Sequence, residues 1–176
     1  MSTLLQINSS VFQQNGQSTQ LADAFAKVYL DNHPDSTLKV RDLTADATPH
    51  YDSARIMAIM ASSEERTEEQ QKIVDYADML ISEVRNASAI ILTLPMYNFG
   101  VPSTLKAYFD HLARAGETFK YTATGPVGLL ANKPVYVVAT RGGQHAGTPM
   151  DTQTDFVKHF LAFIGITDLH FVYAEG

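Results

Sequence analysis

The chain contains no cysteine. That absence removes disulfides, thiolate metal sites, Fe–S clusters and a cysteine nucleophile together, so redox chemistry would have to come from a bound cofactor. Basic residues are also scarce: 13 Lys and Arg stand against 19 Asp and Glu, a formal net charge of -6. They are scattered along the chain, and neutralising nucleic-acid phosphates needs them clustered, so no nucleic-acid partner is expected. No window approaches the roughly 20 uninterrupted apolar residues of a membrane span. The opening Met1-Ser2-Thr3-Leu4 lacks the basic-then-apolar pattern of a secretory signal, so a cytoplasmic protein with no membrane partner is expected. Neither G-x-x-x-x-G-K-[ST] nor G-x-G-x-x-G occurs, which argues against a nucleoside triphosphate with magnesium and against a dinucleotide pyrophosphate.

What is present is a patterned chain of 176 residues, 45% hydrophobic and 18% charged. Residues 1–176 read as one domain with one core, with no repeat, low-complexity tract or linker. Strand-like runs and helix-like periodicities alternate. A short apolar run over residues 3–7 precedes a polar loop and then Leu21, Phe25, Val28 and Tyr29 at helical spacing. Strands follow at Thr37–Leu43, Ala89–Leu94, Val135–Thr140 and Leu169–Tyr173, separated by helices at Glu68–Arg85, Ser103–Ala115 and Asp151–Phe163. The later strands are almost continuously apolar, as when helices cover both faces of a parallel sheet. The fold class is therefore α/β, a doubly wound five-stranded parallel sheet whose simplest order is 2-1-3-4-5. Thr67-Glu68-Glu69-Gln70 has the form of a capping box, and Pro102 suits a first helical turn. Between Ala45 and Arg66, Ile56, Met57, Ile59 and Met60 form a short amphipathic insertion suited to packing on a partner subunit.

In such sheets ligands bind beyond the carboxyl ends of the strands, where strand order reverses. Three loops lie there. The first, Asn8 to Ser18, is rich in hydroxyls and amides and runs into a helix start, a setting for a phosphomonoester. The bland alternative is that Ser18 merely caps its helix. The second, Pro95-Met96-Tyr97-Asn98-Phe99-Gly100-Val101-Pro102, offers two aromatics, a thioether and an amide able to donate to and accept from a heterocycle edge. Its alternative is that Tyr97 and Phe99 pack beneath the loop. The third, Thr140-Arg141-Gly142-Gly143-Gln144-His145, pairs glycines that let backbone N–H groups approach a ring with an imidazole. His145 is otherwise a surface residue and Arg141 a buried ion-pair partner. One phosphate loop and two loops suited to a flat heteroaromatic point to a mononucleotide with a planar ring, for which FMN is the natural candidate. No metal site is expected.

At these residues the chain resembles the FMN-dependent NADH-azoreductases, which are similar in fold to the NAD(P)H:quinone oxidoreductases and share the flavodoxin-like architecture. The resemblance is carried by Asn8-Ser9-Ser10, Gln17-Ser18, Val40-Arg41-Asp42-Leu43, Leu94 to Phe99, Leu105 to Asp110, Ala113 to Tyr121, Arg141-Gly142-Gly143 and Phe163 to Asp168. It implies that Ser10, Gly16, Gln17 and Ser18 hold the FMN phosphate, that Met96, Tyr97, Asn98 and Phe99 line ribityl and ring, and that Thr140, Arg141, Gly142 and Gly143 face the ring edge. It further implies a homodimer in which Phe119, Tyr121 and Phe163 help form a substrate pocket on the partner's site. The activity implied is two-electron ping-pong transfer from NADH or NADPH to a quinone or azo compound. Asn98, Gly142, Gly143 and His145 are then the groups nearest the reacting ring. The chain departs from the resemblance at Gly16 and Thr140, where serine is common. It also stops at Ala174-Glu175-Gly176, just after the fifth strand, where the family continues into a closing helix. One sheet face is accordingly expected to lack cover.

Other readings share the fold. A flavodoxin-type carrier would bind FMN without a substrate pocket and shuttle single electrons, but -6 is a mild charge for one. An NADPH-dependent FMN reductase would release its flavin. A phospho-acceptor receiver domain needs acidic residues where Asn8 and Pro95 stand and is excluded.

Overall fold

A computed structural model describes residues 2–176. Five parallel strands form the main sheet: β1 (Ser2–Asn8), β2 (Ser36–Asp42), β3 (Ala89–Pro95), β6 (Val135–Arg141) and β7 (Leu169–Glu175). Their order is β2-β1-β3-β6-β7. That is the expected 2-1-3-4-5 once β4 (Phe119–Thr122) and β5 (Gly125–Gly128), a separate antiparallel hairpin, are set aside. The expected succession of five strands did not include this hairpin. Its strands are only four residues each, too short for alternation to register, and β5 contains glycine and proline.

The helices are α1 (Gln17–Asn32), α2 (Ser53–Met60), α3 (Glu68–Asn86), α4 (Ser103–Leu112) and α5 (Thr154–Phe163). The amphipathic insertion is α2, and the capping box at Thr67 is present with both reciprocal hydrogen bonds. Two boundaries differ from the sequence reading for local reasons. α4 stops at Leu112, three residues early, because the Thr118 hydroxyl donates to the Leu112 carbonyl (2.5 Å) and accepts from the Arg114 amide (2.9 Å). α5 begins at Thr154, after a turn in which the Asp151 carboxylate accepts from the Thr154 amide at 3.0 Å.

Alternation along the strands divides the interior in two. Leu5, Ile7, Ile90, Leu92, Val135 and Val137 point to the face covered by α3, α4 and α5, where Leu80, Ile81, Leu105, Phe109, Val157 and Leu161 complete a large core. Each fully buried leucine there contributes about 2 kcal/mol. Leu4, Ala89, Ile91 and Val138 point the other way, to a smaller cluster with Ala22 and Ala26 of α1. Phe25 and Tyr29 pack against it, as expected, but Leu21 and Val28 are exposed. The buried stripe of α1 is Ser18, Thr19, Ala22 and Ala26, and small residues carry too little hydropathy to reveal it in sequence. On this face the edge strands show apolar side chains to solvent: Leu38 (41% exposed) and Val40 (48%) on β2, and Val172 (47%) on β7. Among the described residues no helix is long and apolar enough to cross a membrane.

Candidate active site

Beyond the carboxyl ends of β1, β3, β6 and β7 lies a cleft of about 510 Å³. It is within the range of small-molecule sites. Nine of the residues expected there form its wall: Ser10, Gly16, Gln17, Ser18, Met96, Tyr97, Thr140, Arg141 and Gly142. Phe12, Leu21, Pro95 and the end of β7 (Ala174, Glu175 and Gly176) complete it. The β7 residues were missed in sequence although the rule that ligands lie at strand carboxyl ends applies equally to the last strand.

At one end of the cleft, loop 8–16 folds back over β1 and turns into α1. Thr93 anchors it from β3: the Ser9 amide donates to the Thr93 hydroxyl (2.7 Å) and the Ser9 hydroxyl to the Thr93 carbonyl (2.6 Å). The Thr44 hydroxyl holds the Ser10 carbonyl at 3.0 Å. The residue preceding α1 is Gly16, and no side chain caps the helix. Its first N–H groups therefore have neither intrahelical partners nor a capping oxygen, and the helix dipole adds positive potential there. Ser18 does not cap; it is the second residue of α1, buried, with its hydroxyl unpartnered within the chain. Buried hydroxyls without partners are uncommon, and this one sits in the wall of a cleft with open N–H donors beside it. A phosphate would satisfy the whole group.

Gly16 is set by contact rather than by dihedral, since its φ of -73° suits any residue. A Cβ there would collide with the Ser10 hydroxyl, lie 2.7 Å from the Ser10 Cβ and lie 3.2 Å from the Gln13 carbonyl. Any side chain at this position would need Ser10 to move. Ser10 lies 3.3 Å from the Tyr97 hydroxyl, which joins this end of the cleft to the next loop.

The other end is built from two loops. Residues 97–100 form a tight turn with paired backbone hydrogen bonds between Tyr97 and Gly100 (3.2 and 3.0 Å). Both central residues, Asn98 (φ 50°) and Phe99 (φ 61°), are left-handed. Asparagine tolerates that region, but phenylalanine there costs about 1 kcal/mol. Such strain is concentrated at functional sites. Pro95, Met96 and Tyr97 face the cleft, while Phe99, Gly100 and Val101 line a neighbouring cavity of about 560 Å³ with Tyr51, Lys106 and Phe156. The bend thus divides the two. Asn98 is exposed at its tip and lines neither.

In the third loop the Arg141 side chain is fully buried. It donates to Asp151 (2.8 Å), Glu175 (3.1 Å) and Thr154 (3.2 Å). Of the two roles open to it in sequence, the buried ion pair is realised, and only its backbone is available to a ligand. Burial pushes the Asp151 carboxyl up, but hydrogen bonds from Arg141 and Thr154 outweigh it and leave the group below the ordinary carboxylate range. The Glu175 carboxyl is likewise held low: desolvation opposes ionisation, yet the amides of His145 (3.1 Å) and Ala146 (2.9 Å) and the Arg141 guanidinium prevail. The loop is thereby pinned to the end of β7. Gly142 has open space where a Cβ would point, whereas a Cβ on Gly143 would meet the His145 ring at 3.0 Å. His145 packs edge-on to Phe99 with centroids 6.2 Å apart and does not line the cleft.

Phe119, Tyr121 and Phe163 cluster together: Phe119 packs on Phe163 (4.2 Å) and meets Tyr121 edge-on (5.4 Å). The β4–β5 hairpin reaches α5 because Gly128 lies against the backbone of Gly165, where a Cβ on Gly128 would overlap it. None of the three aromatics lines the cleft of its own chain. Phe119 is core, and Tyr121 stands 75% exposed.

A five-stranded parallel sheet with an open helix start and two constrained loops around one cleft at its switch point defines a flavodoxin-like protein. In agreement, residues 2–176 match the family of flavodoxin-like fold. The FMN-dependent NADH:quinone oxidoreductase of Cellvibrio japonicus is 53% identical over 176 residues, spanning 100% of this chain and 88% of that relative. The one from Burkholderia thailandensis is 54% identical, spanning 100% and 89%. Among solved structures, an azoreductase from Bacillus anthracis superposes with a TM-score of 0.91 at 30% identity, covering 100% of this chain and 88% of its own. An FMN-dependent NADH-azoreductase from the same organism, in complex with FMN, gives 0.91 at 28% identity with the same coverage. The chain belongs to the family of FMN-dependent NADH:quinone oxidoreductases.

Proposed function

We propose that this protein binds FMN in the 510 Å³ cleft and reduces quinones and azo compounds with NADH. The observation that carries the reading is the unmet hydrogen-bonding capacity at the start of α1, an uncapped helix with the buried Ser18 hydroxyl unpartnered, in the same wall as Met96, Tyr97, Thr140 and Gly142. Ser10, Ser18 and the amides of Gln17 and Ser18 would hold the phosphate, and Met96 and Tyr97 the ribityl and ring. When bound, FMN supplies the hydride chemistry, accepting two electrons from the nicotinamide nucleotide and delivering them to the acceptor. The chain's part is to orient the ring and to aim fixed donors at the edge where negative charge gathers. The N–H group of Gly142 in the cleft wall is suited to that, with Gly143 and Asn98 beside the cleft rather than lining it, and the loop is pinned by the bonds of His145 and Ala146 to Glu175. His145 lies two residues beyond Gly143, against Phe99, and would act through the loop's position rather than at the ring. No side chain need act as a nucleophile or metal ligand.

The same reading makes the protein a homodimer. Tyr121 projects from the hairpin without a cleft of its own to line, and exposed Met57 and Met60 on α2 offer apolar surface to a second copy. The decisive experiment is the visible spectrum of protein mixed with FMN, recorded before and after anaerobic NADH and again after a quinone is added. Flavin bands that bleach with NADH and return with quinone support the assignment. Failure to retain FMN in excess, or bands that NADH leaves unchanged, would overturn it.

A further inference from the structure

Gln153 is fully buried at the start of α5, yet no reading of the sequence gave it a task. Its side-chain Nε2 donates to two carbonyls of the second loop, Pro95 (2.9 Å) and Gly100 (2.9 Å). Two carbonyl acceptors fix which end of the amide faces the loop, because only the NH₂ can donate. The neighbouring Thr152 hydroxyl donates to the Phe99 carbonyl. These bonds grip both sides of the turn that carries Asn98 and Phe99 in left-handed conformations. In the same stretch, Asp151 accepts from Arg141 of the third loop. One tetrapeptide, Asp151-Thr152-Gln153-Thr154, therefore touches both loops at the ring end of the cleft. The Gln153 Oε1 has no partner, so the side chain is retained in the core at the cost of an unsatisfied acceptor. A residue selected for packing alone would not need either polar atom.

We propose that Gln153 is a positioning residue for flavin binding: by holding the Pro95 and Gly100 carbonyls it keeps the Tyr97–Gly100 turn in its left-handed form and so fixes how Met96 and Tyr97 are presented to the cleft. The inference rests on the FMN reading above. Gln153→Met retains length and removes both donors. In the flavin-free protein, the Gly100 amide, which bonds to the Tyr97 carbonyl at 3.0 Å, should exchange with solvent about tenfold faster in the variant. In the loaded protein, FMN should bind about tenfold more weakly, the visible circular dichroism of the flavin should change, and KM should rise more than kcat falls.

Thr152→Val serves as a second variant, since Thr152 is exposed and its loss leaves the core intact. It should shift FMN affinity in the same direction by about threefold. If Gln153→Met leaves both the Gly100 exchange rate and the flavin spectrum as in the parent, the proposal is wrong. A parent protein that binds no FMN would instead sink the functional reading, and the exchange rate in the flavin-free chain would still decide whether Gln153 holds the turn.

Discussion

The two ends of the cleft are built by opposite means. The end proposed for the phosphate is a continuous stretch, Ser9 to Ser18, anchored to β3 through Thr93 and left with open donors. The ring end is assembled from segments far apart in sequence: the 97–100 turn held by Gln153, and the 141–146 loop held by Asp151 and Glu175. One end has hydrogen-bonding capacity in reserve for a ligand, and the other has spent most of its capacity on its own shape. Binding energy should therefore concentrate at the first end and ring orientation at the second.

Substitutions can test that division. The largest effect belongs to Arg141→Met, which leaves the Asp151 carboxylate buried without its cation. Chemical denaturation of the flavin-free protein should show a loss on the order of 3 kcal/mol. Gly16→Ala comes next, because the added Cβ needs Ser10 to move; about 2 kcal/mol of stability should be lost, again without ligand. If Gly16→Ala proved neutral, the first turn would be more yielding than its contacts indicate. Ser18→Ala should separate the two ends most sharply. Its hydroxyl has no partner in the chain, so flavin-free stability should stay within about 0.5 kcal/mol while FMN affinity falls about tenfold by fluorescence titration.

Acid gives the mildest contrast. The Asp151 and Glu175 carboxyls ionise below their ordinary range, so their contribution is complete above the unfolded value near pH 4 and is lost as pH falls through the lower folded value. The resonances of His145 and Ala146 should therefore shift before those of Gln17 and Ser18 in an NMR titration downward from pH 5. Asp151 and Glu175 bond to the third loop and not to residues 16–18, and a simultaneous shift at both ends would erase the distinction.

The same contrast explains what could be read from the sequence. The sheet and its order were legible because β3 and β6 are continuous apolar runs with helical segments between them. The end proposed to hold the phosphate could be located because its hydroxyls, its glycine and its helix start are adjacent in the chain. The ring loops could be located but their internal chemistry could not. Whether Arg141 faced a ligand or an ion pair depended on Asp151 and on Glu175, 34 residues away on the last strand. Gln153 gave no signal, since a lone amide in the first turn of an amphipathic helix reads as surface. The left-handed Phe99 was equally hidden, because the strain is imposed by partners rather than by local preference.

The exposed edges on the α1 side, at Leu38, Val40 and Val172, have a bearing on how the molecule comes apart. A helix resting on alanines is the part of the domain that should open first as a cooperative unit, and it is the same helix whose first turn is proposed to hold the phosphate. A ligand bound only to the closed form stabilises it by RT ln(1 + [L]/Kd), so the sensitivity of α1 to a protease becomes a gauge of cleft occupancy. Digestion of the protein at graded FMN concentrations should then report the affinity of the site without any turnover, through the lifetime of bonds on the opposite side of the sheet from the main core.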